Sequence, residues 1–154
     1  MSLSLPALLS AALPGISTPA YVADLAVLKR NLETADRIRK EAGCRVLLAL
    51  KAFAMPALFP LMREFLDGTT ASGLFEARLG REEFGKEVHV YSPAYTEDSL
   101  RRLVPVADHI YFNSADQVRR FLPTVKAAGG DMKIGVRINP GYSHATLGGH
   151  LYDP

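Results

Sequence analysis

Short apolar segments alternate with amphipathic segments along most of this 154-residue chain. The apolar segments have the length and composition of strands, and they include RVLLALK at 45–51, EVHVYS at 87–92, DHIYF at 108–112 and KIGVRIN at 133–139. The segments between them carry apolar residues at spacings of three and four, which is typical of helices that face a core. Strands that alternate with helices through short connections predict βαβ units and a parallel sheet.

Individual residues mark several element ends. Asp24 is placed to cap a helix that runs to about Ala42, and Gly43 is the residue type that ends helices in a left-handed conformation. Pro60, inside the predicted second helix, is expected to delay the start of that helix or to kink it. If the segment at 18–24 is also a strand, the pattern gives six strands and five helices.

Two architectures fit this alternation, a doubly wound open sheet and a (β/α)₈ barrel. A G-x-G-x-x-G motif that opens a helix after the first strand is absent, which favours the barrel. Such barrels typically need about 250 residues. We therefore expect an α/β fold that is a partial (β/α)₈ barrel of parallel strands. It comprises an N-terminal segment at 1–17 and the N-terminal part of the barrel at 18–154. The sequence leaves open whether the strand at 18–24 belongs to the barrel or to another domain.

Charge and cysteine content argue against several functional classes. The chain has 18 Lys and Arg against 16 Asp and Glu, without a block of either sign, so nucleic-acid binding is not expected. Cys44 is the single cysteine, so an internal disulfide is impossible and a reducing, cytoplasmic location is expected. No membrane span is expected, and the apolar N-terminal segment lacks the basic start of a secretion signal. His144 and His150 lack a matching carboxylate pattern, so no metal site is expected.

A lysine ends the most apolar of the strand segments. Lys51 follows VLLAL, in a strand that should be buried on both faces. It therefore lies at the C-terminal strand end, where α/β barrels collect catalytic groups. The amine either meets solvent in the following loop or is buried, with a pKa lowered until it is a usable nucleophile. The residues alone leave both interpretations open.

Several separated segments extend this argument. LLALKAFA, DGTTASGLFEARLGREEFGKEVHVYSP, DHIYFNS and VRINPGYS occur in this order. Together they resemble the opening half of the carboxynorspermidine decarboxylases, over nearly all of 18–154. That family belongs to the alanine-racemase-like, ornithine-decarboxylase-like (fold-type-III) enzymes that use pyridoxal 5'-phosphate. The resemblance implies decarboxylation of carboxynorspermidine or carboxyspermidine to norspermidine or spermidine in polyamine biosynthesis.

The resemblance also implies roles for particular residues. Lys51 would hold pyridoxal phosphate through its amine, and the substrate's amine would displace it before carbon dioxide leaves. Arg137, in GVRINP, matches a strand-end arginine close to the cofactor, although a surface arginine on an edge strand is the alternative. Ser72, which ends TTAS, matches a position in the pocket floor, and a helix N-cap explains it equally well.

The resemblance has consequences for the whole protein too. Relatives complete each active site with residues from a second subunit, which implies a homodimer. The family's C-terminal β domain is absent from this sequence, so we expect the fragment alone to be inactive. Two alternatives remain. One is another enzyme of the same fold, such as a diaminopimelate or ornithine decarboxylase or an amino-acid racemase. The other is a non-catalytic pyridoxal-phosphate-binding protein.

Overall fold

Five parallel strands form one sheet in chain order in the computed structural model, which describes residues 13–129 and 131–142. The strands are β1 (Leu47–Ala49), β2 (Gly68–Ala71), β3 (Glu87–Tyr91), β4 (His109–Phe112) and β5 (Lys133–Val136). The helices are α1 (Leu25–Ala42), α2 (Phe59–Met62), α3 (Leu74–Leu79, continued by a π-helical turn at Gly80–Phe84), α4 (Glu97–Leu103) and α5 (Ala115–Ala127). Each strand pairs with the next one along the chain, which confirms the predicted βαβ architecture.

Helix α1 begins and ends where its sequence predicts, and the start of α2 agrees with the effect expected of Pro60. Asp24 Oδ1 accepts the backbone N–H groups of Ala26 and Val27 at 2.9 and 3.0 Å. Gly43 ends α1 with φ of 61°, the left-handed conformation that glycine adopts without strain. Pro60 lies in the first turn of α2, so the helix starts late and is not interrupted. None of the helices in the described ranges combines the length and apolarity that a bilayer crossing requires.

The segment at 18–24 does not form a strand. Among the described residues the sheet begins with β1 and has five strands. The predicted count of six strands is therefore wrong. Tyr21 is 95% exposed and Val22 is 54% exposed, so their side chains are not covered by the sheet. An extended segment becomes a strand only when a neighbouring strand accepts and donates its backbone hydrogen bonds.

Alternation along the strands gives the sheet two different faces. One face is apolar and packs against the helices, where Val88, Val90, Ile110 and Phe112 are fully buried at 0% exposure. The other face, called here the polar face, carries Thr70, Glu87, His89, Tyr91, His109, Tyr111 and Gly135. In a closed barrel the face turned away from the helices is the barrel interior.

An aspartate before β2 and another before β4 hold the N-terminal ends of the neighbouring strands. Asp67 Oδ2 accepts the Val46 N–H at 2.9 Å, and Asp108 Oδ2 accepts the Val88 N–H at 2.8 Å. Asp108 also pairs with Arg81, whose Nη2 lies 2.7 Å from Oδ2. These carboxylates help to set the strand register at the sheet edge opposite Lys51.

Candidate functional site

Polar side chains gather at the C-terminal edge of the sheet. Because the five strands are parallel, their C-terminal ends share one edge. The residues at or just after those ends are, in strand order, Lys51, Ser72, Tyr91, Asn113 and Arg137. The structure thus places the three sequence-predicted residues on one edge and adds a tyrosine and an asparagine to them.

Lys51 lies in the turn that follows β1, and it is exposed. Pairing with β2 extends to the residue before it, since the Leu50 N–H donates to the Thr70 carbonyl at 3.1 Å. Leu48 and Leu50 are buried on the apolar face, at 8% and 3% exposure. The Lys51 amine makes no hydrogen bond or ion pair with the residues that the structure describes. Among the described residues Lys51 is thus an exposed amine on a turn that is fixed by sheet pairing. Its role in holding a cofactor stays a prediction.

Ser72 is not a helix cap. Gly73 occupies the N-cap position of α3, and no side chain caps that helix. Instead, Glu76 Oε2 accepts the backbone N–H of Ser72 at 2.6 Å from one turn into the helix. The N-cap interpretation of Ser72 is therefore wrong, and its exposed side chain lies at the end of β2. Its role in a pocket stays a prediction.

Arg137 is held by a side chain from β3. Arg137 Nη1 donates to the Tyr91 hydroxyl at 2.7 Å, and the guanidinium carbon lies 5.7 Å from the centre of the Tyr91 ring. The Tyr91 hydroxyl donates in turn to Asn113 Oδ1 at 2.9 Å. The Arg137 backbone N–H donates to the Phe112 carbonyl at 2.8 Å, which extends the sheet ladder by one residue. The Arg137 side chain is thus fixed across strands β3 and β4.

Lys51 and Arg137 come from the two outer strands of the sheet, and the described structure shows no contact between them. With neighbouring strands about 4.8 Å apart, four spacings put these strand ends about 19 Å apart along the sheet. In a closed eight-stranded barrel, the first and fifth strands lie on opposite sides of the mouth, from which both long side chains can reach inward. The predicted pairing of these two residues at one cofactor therefore depends on barrel closure.

A second polar cluster lies toward the other end of the polar face. Glu87 Oε2 lies 3.2 Å from His89 Nε2 and 3.9 Å from His109 Nε2. Arg45 Nη1 contacts both Glu87 carboxylate oxygens, at 2.5 and 2.6 Å. His89 Nδ1 lies 3.2 Å from the Tyr111 hydroxyl. The cluster is thus an ion-paired and hydrogen-bonded layer.

This cluster has donor atoms of the type that bind metals, but its geometry is unsuited to a metal. Its carboxylate and two imidazoles lie within 4.8 Å of one another. The His89 and His109 rings are stacked, with centroids 3.8 Å apart and planes 9° apart. Because an imidazole lone pair lies in the ring plane, the lone pairs of two stacked rings lie in separate, nearly parallel planes, whereas a tetrahedral ion needs them to converge. The Arg45 guanidinium already neutralises Glu87.

Burial and charge shift two pKa values in this layer. Burial is the main cause that lowers the pKa of His109, and the charge of the nearby His89 lowers it further. Burial acts to raise the pKa of Glu87, but the hydrogen bond with His89 and the charge of Arg45 outweigh it, so the Glu87 pKa is lowered. The layer therefore favours an ionised carboxylate beside a neutral His109.

Comparison with known proteins supports the resemblance. No family model matches the chain. A carboxynorspermidine/carboxyspermidine decarboxylase of Herminiimonas arsenicoxydans is 43% identical over 139 residues, which are 90% of this chain and 36% of that protein. The chain is similar to part of a carboxynorspermidine decarboxylase. A carboxyaminopropylagmatine decarboxylase of Synechocystis is 44% identical over 142 residues, 92% of this chain and 36% of that protein.

The fold agrees with this similarity. The crystal structure of carboxynorspermidine decarboxylase from Campylobacter jejuni, complexed with norspermidine, has a TM-score of 0.72 and 36% identity to this chain. The match covers 77% of this chain and 31% of that one. The predicted partial α/β barrel is confirmed, and the chain spans 36% of the length of the curated relatives named above.

Tyr91 and Asn113 were not predicted from the sequence. A positional signal was available, because each stands at a strand end, as Lys51, Ser72 and Arg137 do. Their side chains matter only through contacts between strands, and strand register is not visible in a single sequence.

Proposed function

We propose that this chain forms part of a pyridoxal-phosphate-dependent decarboxylase that converts carboxynorspermidine or carboxyspermidine to norspermidine or spermidine. The supporting observation is Lys51, an exposed amine at the end of a parallel strand, without a partner among the described residues. Relatives that carry this activity in their names are 36–43% identical to most of this chain. An amine at this place can form the covalent bond to an aldehyde on which such enzymes depend.

The strand-end residues suit pyridoxal phosphate by their chemistry. The cofactor has an aldehyde for the Lys51 amine and anionic oxygens for the N–H donors of Arg137. We propose that Lys51 attaches the cofactor, that Arg137 binds an anionic oxygen, and that Ser72 lines the pocket floor. When bound, pyridoxal phosphate supplies an electron sink for the pair released as carbon dioxide leaves.

The residues of this chain act by binding, orienting and moving a proton. The β1–β2 pairing at Leu50 fixes the turn from which Lys51 reaches the cofactor. Lys51 Nζ would hold the cofactor, and when it is not bound to the cofactor it could accept or donate a proton near the reacting carbon. The positive guanidinium of Arg137 would favour anionic groups at the barrel mouth.

A second substrate has specific support. The Synechocystis relative, at 44% identity, is named for carboxyaminopropylagmatine. Release of carbon dioxide from carboxynorspermidine, carboxyspermidine and carboxyaminopropylagmatine, measured side by side, separates these substrates. Activity only on ornithine or diaminopimelate would favour another enzyme of the same fold. Cofactor binding without any turnover would favour a non-catalytic protein.

Three other features stay predictions. We propose that the protein is a homodimer with shared active sites and that it is cytoplasmic, on the family resemblance and on the single cysteine. The division into 1–17 and 18–154 is likewise untested. Sedimentation of the full-length protein at several concentrations would measure its oligomeric state.

Borohydride labelling tests the central claim. Pyridoxal phosphate is added to the full-length protein, the bond to lysine is reduced, and peptide mass locates the modified residue. We expect the label on Lys51 and none in Lys51→Ala. The control is Lys126→Ala, which removes another exposed lysine, from the outer helix α5, and should leave the label unchanged. Because the Lys51 amine has no partner among the described residues, Lys51→Ala should change the free energy of unfolding without cofactor by less than about 0.5 kcal/mol.

The position of the label decides the result. A label on Lys126 or Lys133 in the wild-type protein would show that Lys51 is not the attachment site. The absence of any label from folded, full-length protein would remove the proposed mechanism.

A further inference from the structure

The Tyr91 hydroxyl connects Arg137 to Asn113. It accepts the Arg137 Nη1–H at 2.7 Å and donates its own proton to Asn113 Oδ1 at 2.9 Å. A hydroxyl has one proton to donate, so donation to Asn113 leaves its lone pairs for the guanidinium. The hydrogen bonds therefore run in one direction, from Arg137 through Tyr91 to Asn113.

Asn113 is itself held by α5. Its backbone N–H donates to Gln117 Oε1 at 2.8 Å, and Gln117 Nε2 donates to the Pro93 carbonyl at 2.8 Å. These bonds join the end of β4, the first turn of α5 and the connection that follows β3. The backbone of Asn113, whose side-chain oxygen accepts from Tyr91, is therefore held by contacts with two other parts of the fold.

Arg137 has more N–H donors than its contact with Tyr91 uses. A guanidinium carries five N–H donors, and a single one of them contacts Tyr91. Over 13–129 and 131–142, no carboxylate forms an ion pair with Arg137. Its backbone is fixed by the bond to the Phe112 carbonyl, and its tip is fixed by Tyr91. Among the described residues, Arg137 thus presents an oriented positive charge, and it has further N–H donors that bind no carboxylate, at the C-terminal edge of the sheet.

We propose that Tyr91 is a positioning residue, which orients the Arg137 guanidinium toward an anionic oxygen of the cofactor. This inference rests on the proposed function, in which Arg137 binds pyridoxal phosphate. A mobile arginine loses rotamer freedom when it binds a ligand, and a side chain already held by Tyr91 loses less. Removing the hydroxyl should therefore weaken cofactor binding about two- to tenfold.

Tyr91→Phe in the full-length protein provides the test, since it keeps the ring and removes the hydroxyl. Two quantities are measured: the dissociation constant of pyridoxal phosphate, by equilibrium dialysis, and the pH midpoint at which the absorbance of the lysine-bound cofactor changes. We expect the dissociation constant to rise two- to tenfold. We expect the midpoint to rise as well, because a cation held nearby lowers the pKa of a protonated group. Tyr21→Phe is the control, because Tyr21 is 95% exposed, and it should leave both quantities unchanged.

The same substitution in an Arg137→Ala background shows whether Tyr91 acts through Arg137. We expect Tyr91→Phe to have no further effect there. A second loss of the same size would overturn the proposal, because Tyr91 would then act without the guanidinium. If Tyr91→Phe does not fold, Asn113→Ala takes its place, since it removes the acceptor behind the hydroxyl and should shift both quantities in the same direction.

The proposed function and this inference fail in different ways. If the wild-type protein carries the label on Lys51 and Tyr91→Phe leaves both quantities unchanged, the role of Tyr91 is wrong and the proposed function stands. If the wild-type protein takes no label on Lys51, the proposed function fails, and the role of Tyr91 fails with it.

Discussion

Replacing Asp108 with alanine should destabilise the N-terminal edge of the sheet. Asp108 Oδ2 accepts the Val88 N–H at 2.8 Å and the Arg81 Nη2–H at 2.7 Å. Val88 is at 0% exposure, and a buried donor left without a partner costs about 1–3 kcal/mol. The Arg81 and Asp108 side chains are 37% and 38% exposed, so solvent limits their ion pair to about 1 kcal/mol or less. We expect Asp108→Ala to lower the free energy of unfolding by about 2–3 kcal/mol.

Asp108→Asn separates the two contributions. The amide oxygen can still accept the Val88 N–H, whereas the ion pair with Arg81 is lost, so this variant should lose about 1 kcal/mol or less. Glu82→Gln is a matched control that breaks an exposed ion pair with Arg78, which is 3.0 Å long. It should cost about 0.3–0.5 kcal/mol. Urea denaturation of the full-length protein measures all three values.

The pH dependence provides an independent check. Burial acts to raise the pKa of Asp108, but the hydrogen bond from Val88 and the contact with Arg81 outweigh it and lower the pKa below its ordinary value of 3.8. The stabilisation by the carboxylate is therefore complete above the unfolded pKa and is lost as pH falls through the lower native pKa. The difference between wild type and Asp108→Asn should begin to decrease as pH falls below 3.8, and it should disappear below the lower native pKa. The reasoning would be refuted if Asp108→Ala lost no more stability than Asp108→Asn.

Two further predictions concern the polar face. A Cβ at Gly135 would overlap the ring of Tyr111, so Gly135→Ala should cost about 1–3 kcal/mol in a urea titration, and Tyr111→Ala should offset part of that loss. Strictly additive losses would contradict this. Because the pKa of His109 is lowered from 6.5, by burial and then by His89, the unfolded chain binds a proton first and stability should decrease as pH falls below 6.5. His109→Gln should flatten that decrease, and an unchanged profile would exclude His109 as its source.

Element order was predictable because each element depends on neighbours in sequence. The cap at Asp24, the left-handed Gly43 and the apolar spacing of α1 act within a few residues, and the structure contains all three. The extended segment at 18–24 was misassigned for the opposite reason. Its composition permits a strand, but a strand exists only where another strand pairs with it.

Some features of the candidate site were likewise visible in the sequence, and others were decided by the tertiary structure. Lys51 stands out in the sequence because a charged residue at the end of an apolar strand is unusual, and strand ends in α/β folds are where function concentrates. Ser72 is excluded as a helix cap by the conformation of the turn after β2. In that turn Gly73 takes the cap position, and Glu76 accepts the Ser72 N–H. Local sequence did not distinguish these arrangements.

The sequence by itself determined the order of strands and helices, the parallel sheet and the edge on which Lys51 and Arg137 lie. The tertiary structure decided which side chains meet on that edge. Arg137 binds Tyr91, which lies 46 residues earlier, and Tyr91 binds Asn113, 22 residues later. Such contacts depend on the register and curvature of paired strands. Register results from packing and hydrogen bonds along the whole sheet, so no local stretch of sequence specifies it.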